Sequence, residues 1–136
     1  MNRTRTALIA AVIVVLCAAS AWQFGRNTCM AIQQSFADEQ TELFSEMTGK
    51  ATEALKRQPP DVKAAVGFLE YARNYYPTGT KQTLGSPLDR IVERSRSVAE
   101  SRIIEMLREA TGMDHGTDAD DWIRELRNHA ESEKSR

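Results

Sequence analysis

Asp114, Asp118, Asp120 and Glu125 fall at positions 1, 5, 7 and 12 of a twelve-residue window, the spacing with which an EF-hand loop offers oxygen atoms to calcium. Position 3 of that window is Gly116, and position 6, where the sharp turn needs glycine, is Ala119. A helix starting after Asp118 explains the same acids without a metal, because a capping carboxylate and first-turn acids suit a helix's positive end. His115 and His129 are too few and too far apart for a zinc set, and read as a surface-loop and a solvent-facing helix histidine. Gly79-Thr80-Lys81 resembles part of a phosphate cradle, but Gln82 follows where Ser or Thr belongs, and the upstream pattern is helical. Ser86 has no histidine nearby to activate it, and helix capping accounts for it. The expected catalytic, cofactor-binding and metal sites are therefore none, and the chain reads as non-enzymatic.

Weaker candidates remain. Arg90, Arg94 and Arg96, with Glu93 among them, read as a solvated helix face with exchangeable ion pairs; contact with a lipid headgroup or a partner is the alternative. Trp122 reads as a core lock rather than a ligand platform. The loop at 75–82 reads as a turn stabilised by Tyr75 or Tyr76 packing across the next helix; a small exposed recognition loop is the alternative. Were that loop and the acidic turn at 114–121 to meet at one concave pocket, they could serve a small-ligand sensor or an enzyme.

Charge narrows the classes. The chain carries 18 basic and 19 acidic residues; setting aside Arg3 and Arg5 leaves 16 basic against 19 acidic, a net of −3. Nucleic-acid binding, which draws affinity from Lys and Arg neutralising phosphates, is not expected. Cys17 and Cys29 sit at different depths of one N-terminal stretch and are not placed to pair with each other. Cys29 is either an idle thiol near a membrane or half of an intermolecular disulfide.

The elements that must position these residues begin with a membrane segment. Residues 6–24 hold no charge and lie between Arg5 and Arg26. As a helix this run covers about 28 Å, close to the ~30 Å hydrocarbon core of a bilayer. Arg3, Arg5 and the α-amino group precede it, while Arg26 is followed by Asp38, Glu39 and Glu42. The basic excess predicts a single-pass signal anchor, with residues 1–5 in the cytoplasm, 6–25 in the membrane and 26–130 outside the cytoplasm, ending in a polar tail at 131–136 that frays. Export after cleavage is the alternative, with Ala19-Ser20-Ala21 as the small-residue site. Either way 112 residues follow position 24, enough for a modest core.

Those residues read as helices throughout. Phe36, Leu43, Phe44, Met47, Ala51, Ala54 and Leu55 make an apolar stripe on a helix starting near Thr28 or running on from the membrane helix, and Pro59-Pro60 ends it. The same prolines and Asp61 open a second helix, which buries Val62, Ala65, Val66, Leu69, Ala72 and Tyr76 and stops at Pro77. Ser86, Pro87 and Asp89 give the third helix an N-cap, a first-turn proline and a capping-box acid. Its stripe is Leu88, Ile91, Val92, Val98, Ala99, Ile103 and Leu107, and Gly112 closes it. Asp118 caps a short fourth helix with Trp122, Ile123, Leu126 and Ala130 on its apolar face. Short connections make neighbouring helices antiparallel, so the expected fold is all-α: a transmembrane helix, then an up-down helical hairpin or three-helix bundle with a short C-terminal helix. Stripes this narrow could also close a dimer.

The segment 75–123 resembles one found in small uncharacterised bacterial membrane-anchored helical proteins. The likeness is carried by Tyr75-Tyr76-Pro77, Gly79-Thr80-Lys81-Gln82, Leu88-Asp89-Arg90-Ile91-Val92-Glu93, and Thr111-Gly112 followed by Asp114, Gly116, Asp118 and Trp122. His115 and Ala119 depart from the expected Leu and Pro. The closing pattern is also similar to the ends of some bacterial HEAT-repeat proteins, although stacked repeats are absent here. The resemblance implies a membrane-tethered helical protein and no particular activity. The expected function is thus an interaction or scaffold module held to lipid by residues 6–24, with a protein partner or a second copy as its ligand.

Overall fold

Four α-helices make up the residues described by the computed structural model, 3–134, and no strand occurs among them. In chain order they are α1 (Arg3–Leu55), α2 (Val62–Asn74), α3 (Pro87–Thr111) and α4 (Ala119–Lys134). Met1, Asn2, Ser135 and Arg136, with the side chains of Arg3, Thr4, Ala130, Glu131, Glu133 and Lys134, lie outside the described residues; expectations about the cytoplasmic end, the tail and Ala130 fall on them.

The chain divides into two compact units, Met1–Ser35 and Phe36–Arg136. In the first, α1 is long and apolar enough to cross a membrane, and none of its apolar window is buried by protein. Leu8, Ile9, Val12, Ile13, Val14, Val15 and Leu16 are all exposed. Thr28 does not start a new helix. Its hydroxyl donates to the Phe24 carbonyl at 2.9 Å, bonding back to the helix it belongs to.

The second unit has a core shared by every helix. Ala51 and Ala54 of α1 meet Ala65, Val66 and Leu69 of α2, Ile103, Ile104 and Leu107 of α3, and Ala119, Trp122, Ile123 and Leu126 of α4. Ala37, Phe44 and Met47 form a second cluster with Ala72, Val92 and Ala99. The buried alanines let helix backbones approach closely, while Trp122, Phe44, Leu69 and Ile103 fill the remaining volume.

Local signals fix the helix ends. The Asp61 side chain accepts the Ala64 N–H at 3.0 Å, so the helix proper begins after both prolines. Ser86 Oγ accepts the Asp89 N–H at 3.2 Å, with Pro87 in the first turn. Gly112 takes the left-handed conformation (φ 68°), and its N–H reaches the Arg108 carbonyl at 2.9 Å. Asp118 accepts the Asp120 N–H at 3.0 Å and caps α4.

Several expectations about the helices are corrected. Ile91 and Val98 point to solvent, because the buried face of α3 runs through Val92, Arg96, Ala99 and Ile103. Tyr76 is exposed, since α2 ends at Asn74 and the chain turns away before it. Pro77 does not itself stop α2, which ends three residues earlier.

Candidate functional site

The polar chemistry is strung along α3, at Asp89, Arg96, Glu100 and Arg108. After Asn74 the backbone leaves the helix at Tyr75, whose ring packs edge-on against Phe44 of α1 with centroids 6.4 Å apart. Arg96, on the buried face of α3, is turned toward the carbonyls freed there. Its Nη1 donates to Ala72 O at 2.7 Å and Arg73 O at 3.0 Å, and its Nη2 to Tyr75 O at 2.8 Å and Tyr76 O at 2.7 Å. Glu93 lies 3.3 Å from its Nε, and Phe44 lies beneath the guanidinium. A cation at a helix C-terminus satisfies both the orphan carbonyls and the dipole. Arg96 is therefore a buried cap for α2, not part of a solvated face with Arg90 and Arg94.

Asp89 performs a similar task for the loop. Its carboxylate accepts the Gly79 N–H at 3.1 Å and the Gly85 N–H at 2.8 Å. The Ser86 N–H, which a capping box would bring to that carboxylate, donates to Thr83 O instead. Gly79 has φ +78°, and a Cβ there would come within 3.2 Å of the Leu84 side chain. The Lys81 ammonium lies between the rings of Phe36 (4.4 Å) and Tyr76 (4.3 Å), and Thr80 Oγ1 donates to Pro77 O. The Gly79-Thr80-Lys81 run is thus occupied in closing the loop. Buried Gln82 donates from Nε2 to Gln40 Oε1 of α1 at 2.7 Å.

At the other end, Arg108 draws the α3–α4 turn inward. Its Nε and Nη2 donate to Asp114 Oδ1 at 3.1 and 3.0 Å, and its Nη2 also reaches Gly116 O. The Gly116 N–H, ahead of Arg108, holds the Asp114 carboxyl below the usual carboxylate range. Trp122 Nε1 donates to Gly116 O at 2.8 Å, so the fully buried indole is tied to the turn as well as to the core. Asp120 pairs with Arg73, and Glu125 with Arg124. The four acids that sequence spacing aligns therefore point to different partners. Among the described residues no group of three or more His, Cys, Asp or Glu is placed to hold a metal. His115 is half-buried with its ring edge-on to Trp122 at 4.9 Å, rather than free on the surface, while His129 is exposed.

Arg73 of α2 joins three helices, reaching Asp120 of α4 at 3.0 Å and Glu100 of α3 at 3.6 Å. Burial pushes the Glu100 carboxyl above its ordinary value, against the opposing pull of Arg73 and Arg96. Glu100 Oε1 has no hydrogen-bond partner.

The two loops are anchored at opposite ends of α3. Asp89 and Arg108, which hold them, are 19 residues apart, about 28 Å along a helix axis. Tyr75, Tyr76 and Pro77 line one cleft and Asp120 another, and Glu70 and Asn74 of α2 line both. No family model, curated protein or solved structure matches the chain.

Proposed function

We propose that the chain is a membrane-tethered helical interaction module: a single-pass signal anchor carrying an up-down bundle outside the cytoplasm. The observation that carries this reading is α1 itself. Its uncharged run at 6–24 is exposed along its whole length, whereas the same helix from Phe36 onward is built into a packed core. An exposed apolar run of that length costs far less in lipid than in water. The basic residues before it favour an inside N-terminus. The polar groups of the second unit support a binding role over a chemical one, because Arg96, Asp89, Lys81, Arg108 and Asp114 are all engaged within the fold.

The reading is tested by alkaline extraction of membranes, a C-terminal reporter and crosslinking in native membranes. A protein that resists extraction, exposes its C-terminus outside the cell and crosslinks to a partner or a second copy supports it. Release into the soluble fraction, a cytoplasmic reporter or a monomer alone would overturn it. Intact mass on the same sample shows whether the anchor is retained or cleaved near Ala21.

A further inference from the structure

The exposed side of α3 carries a feature that the core does not explain. Ile91 and Val98, one heptad apart, are 54% and 61% exposed. They edge a groove of about 440 Å³ between α1 and α3, floored by Phe44 and Ala99 and walled on the α1 side by Thr41, Ser45 and Thr48. The hydroxyls of Thr41, Thr48 and Ser95 are already bonded to their own helices, at 2.8, 2.9 and 3.0 Å. Facing outward, these walls offer small side chains and little unmet hydrogen-bonding demand, which permits close approach of another helix. Below Val98 the surface continues past Ser101 and Arg102 to Glu105.

The groove's charge identifies the occupant. Its charged lining residues are Arg94 and Arg102, both exposed, and neither is in an ion pair among the described residues. They stand eight residues apart, about 12 Å along α3. A second copy on this face would set like charges together: Arg94 on Arg94 in a parallel pair, or Arg94 on Arg102 in an antiparallel one centred on Val98. We propose that the α1–α3 groove receives an amphipathic helix of a partner protein, its apolar stripe on Ile91 and Val98 and two carboxylates, seven or eight residues apart, on Arg94 and Arg102. This deepens the interaction-module reading and rests on it.

The test uses the full chain in detergent and three fluorescent four-turn peptides: an acidic amphipathic helix, its lysine counterpart with the same apolar stripe, and a scrambled acidic helix of equal charge. The acidic amphipathic peptide should bind about tenfold more tightly than either control at low salt, with the advantage shrinking as salt rises. Arg94→Glu with Arg102→Glu should reverse the preference between the acidic and lysine peptides. Val98→Asp, at an exposed position that leaves the fold intact, should abolish stripe-dependent binding. Equal binding of the scrambled peptide, or indifference to Val98→Asp, overturns the proposal. In native membranes, a photocrosslinker at Val98 should give an adduct with an acidic helical segment, lost on the double charge reversal. An adduct there with lipid or a second copy overturns the proposal. Adducts at Tyr71, on another face, without any at Val98 sink the groove alone; none at either position sinks the interaction module as well.

Discussion

The side-chain amide of Gln82, in the α2–α3 loop, donates to the side-chain oxygen of Gln40, in α1, across 2.7 Å, and both residues are buried. Removing one partner leaves the other's polar group buried and unmatched, whereas removing both leaves none. Gln40→Leu should lower stability by about 1–3 kcal/mol. Gln40→Leu with Gln82→Leu should be less destabilised than the single variant. Thermal unfolding of the detergent-solubilised chain, followed by circular dichroism, measures both. Equal loss in single and double variants would show that the loop is held by other contacts.

Arg96 is the more demanding case, with one guanidinium serving four carbonyls. Arg96→Ala should cost about 3–5 kcal/mol, the range for breaking a buried charged network. Arg96→Lys should fall between alanine and the parent, because one ammonium cannot span all four acceptors. Urea unfolding gives the magnitudes. Amide exchange should show the last turn of α2, through the Tyr75 N–H that bonds to Tyr71 O, losing protection first; uniform loss over the whole unit would place the role of Arg96 in general packing instead.

Glu100 supplies a dependence on pH. Its pKa lies above the ordinary 4.5, with burial the leading cause. A carboxyl raised in the folded state favours folding most when protonated, below its unfolded pKa, and that contribution is lost as pH rises through the folded value. Glu100→Gln keeps the position neutral. The variant should therefore melt higher than the parent at neutral pH, with the gap closing below about pH 4. A variant less stable at neutral pH would mean that Arg73 and Arg96 outweigh burial.

The two cysteines report topology. Cys29 lies five residues past Phe24, about 8 Å along the helix, while Cys17 is inside the uncharged run. A membrane-impermeant maleimide applied to intact cells should label Cys29 and leave Cys17 untouched. Labelling of Cys29 only after lysis would reverse the orientation, and labelling of both would remove the span. A band of twice the mass under non-reducing conditions, absent in Cys29→Ser, would reveal a bridge between two chains.

Local chemistry was legible in the sequence where one turn of chain decides the outcome. Ser86-Pro87, Gly112 and Asp118 mark helix ends through groups within three or four residues, and all of them act as expected. Arg96 was not legible, because its neighbours Glu93 and Arg94 suggest a solvated face and its acceptors come from residues 72–76. Spacing did hold a clue: Arg96 lies four after Val92 and three before Ala99, on the buried stripe, whereas Ile91 and Val98 are one step off it. The interval from Ser86 points Asp89 to a capping box. Two glycine N–H groups that the loop folds back against it compete for the same carboxylate, and only the tertiary structure shows that they prevail.

Because α1 is apolar and uncovered by protein over residues 6–24 but packed into a core from Phe36 onward, its tolerance of substitution should change along a single helix if the first stretch is the proposed membrane anchor. A charge placed among residues 6–24 would fail at insertion, and one at Ala37, Phe44 or Ala51 would fail at folding. Gly25 to Ser35, exposed apart from half-covered Gln33, should accept most replacements. A saturation-mutagenesis scan would then register two sensitive blocks separated by a quiet interval of about three turns.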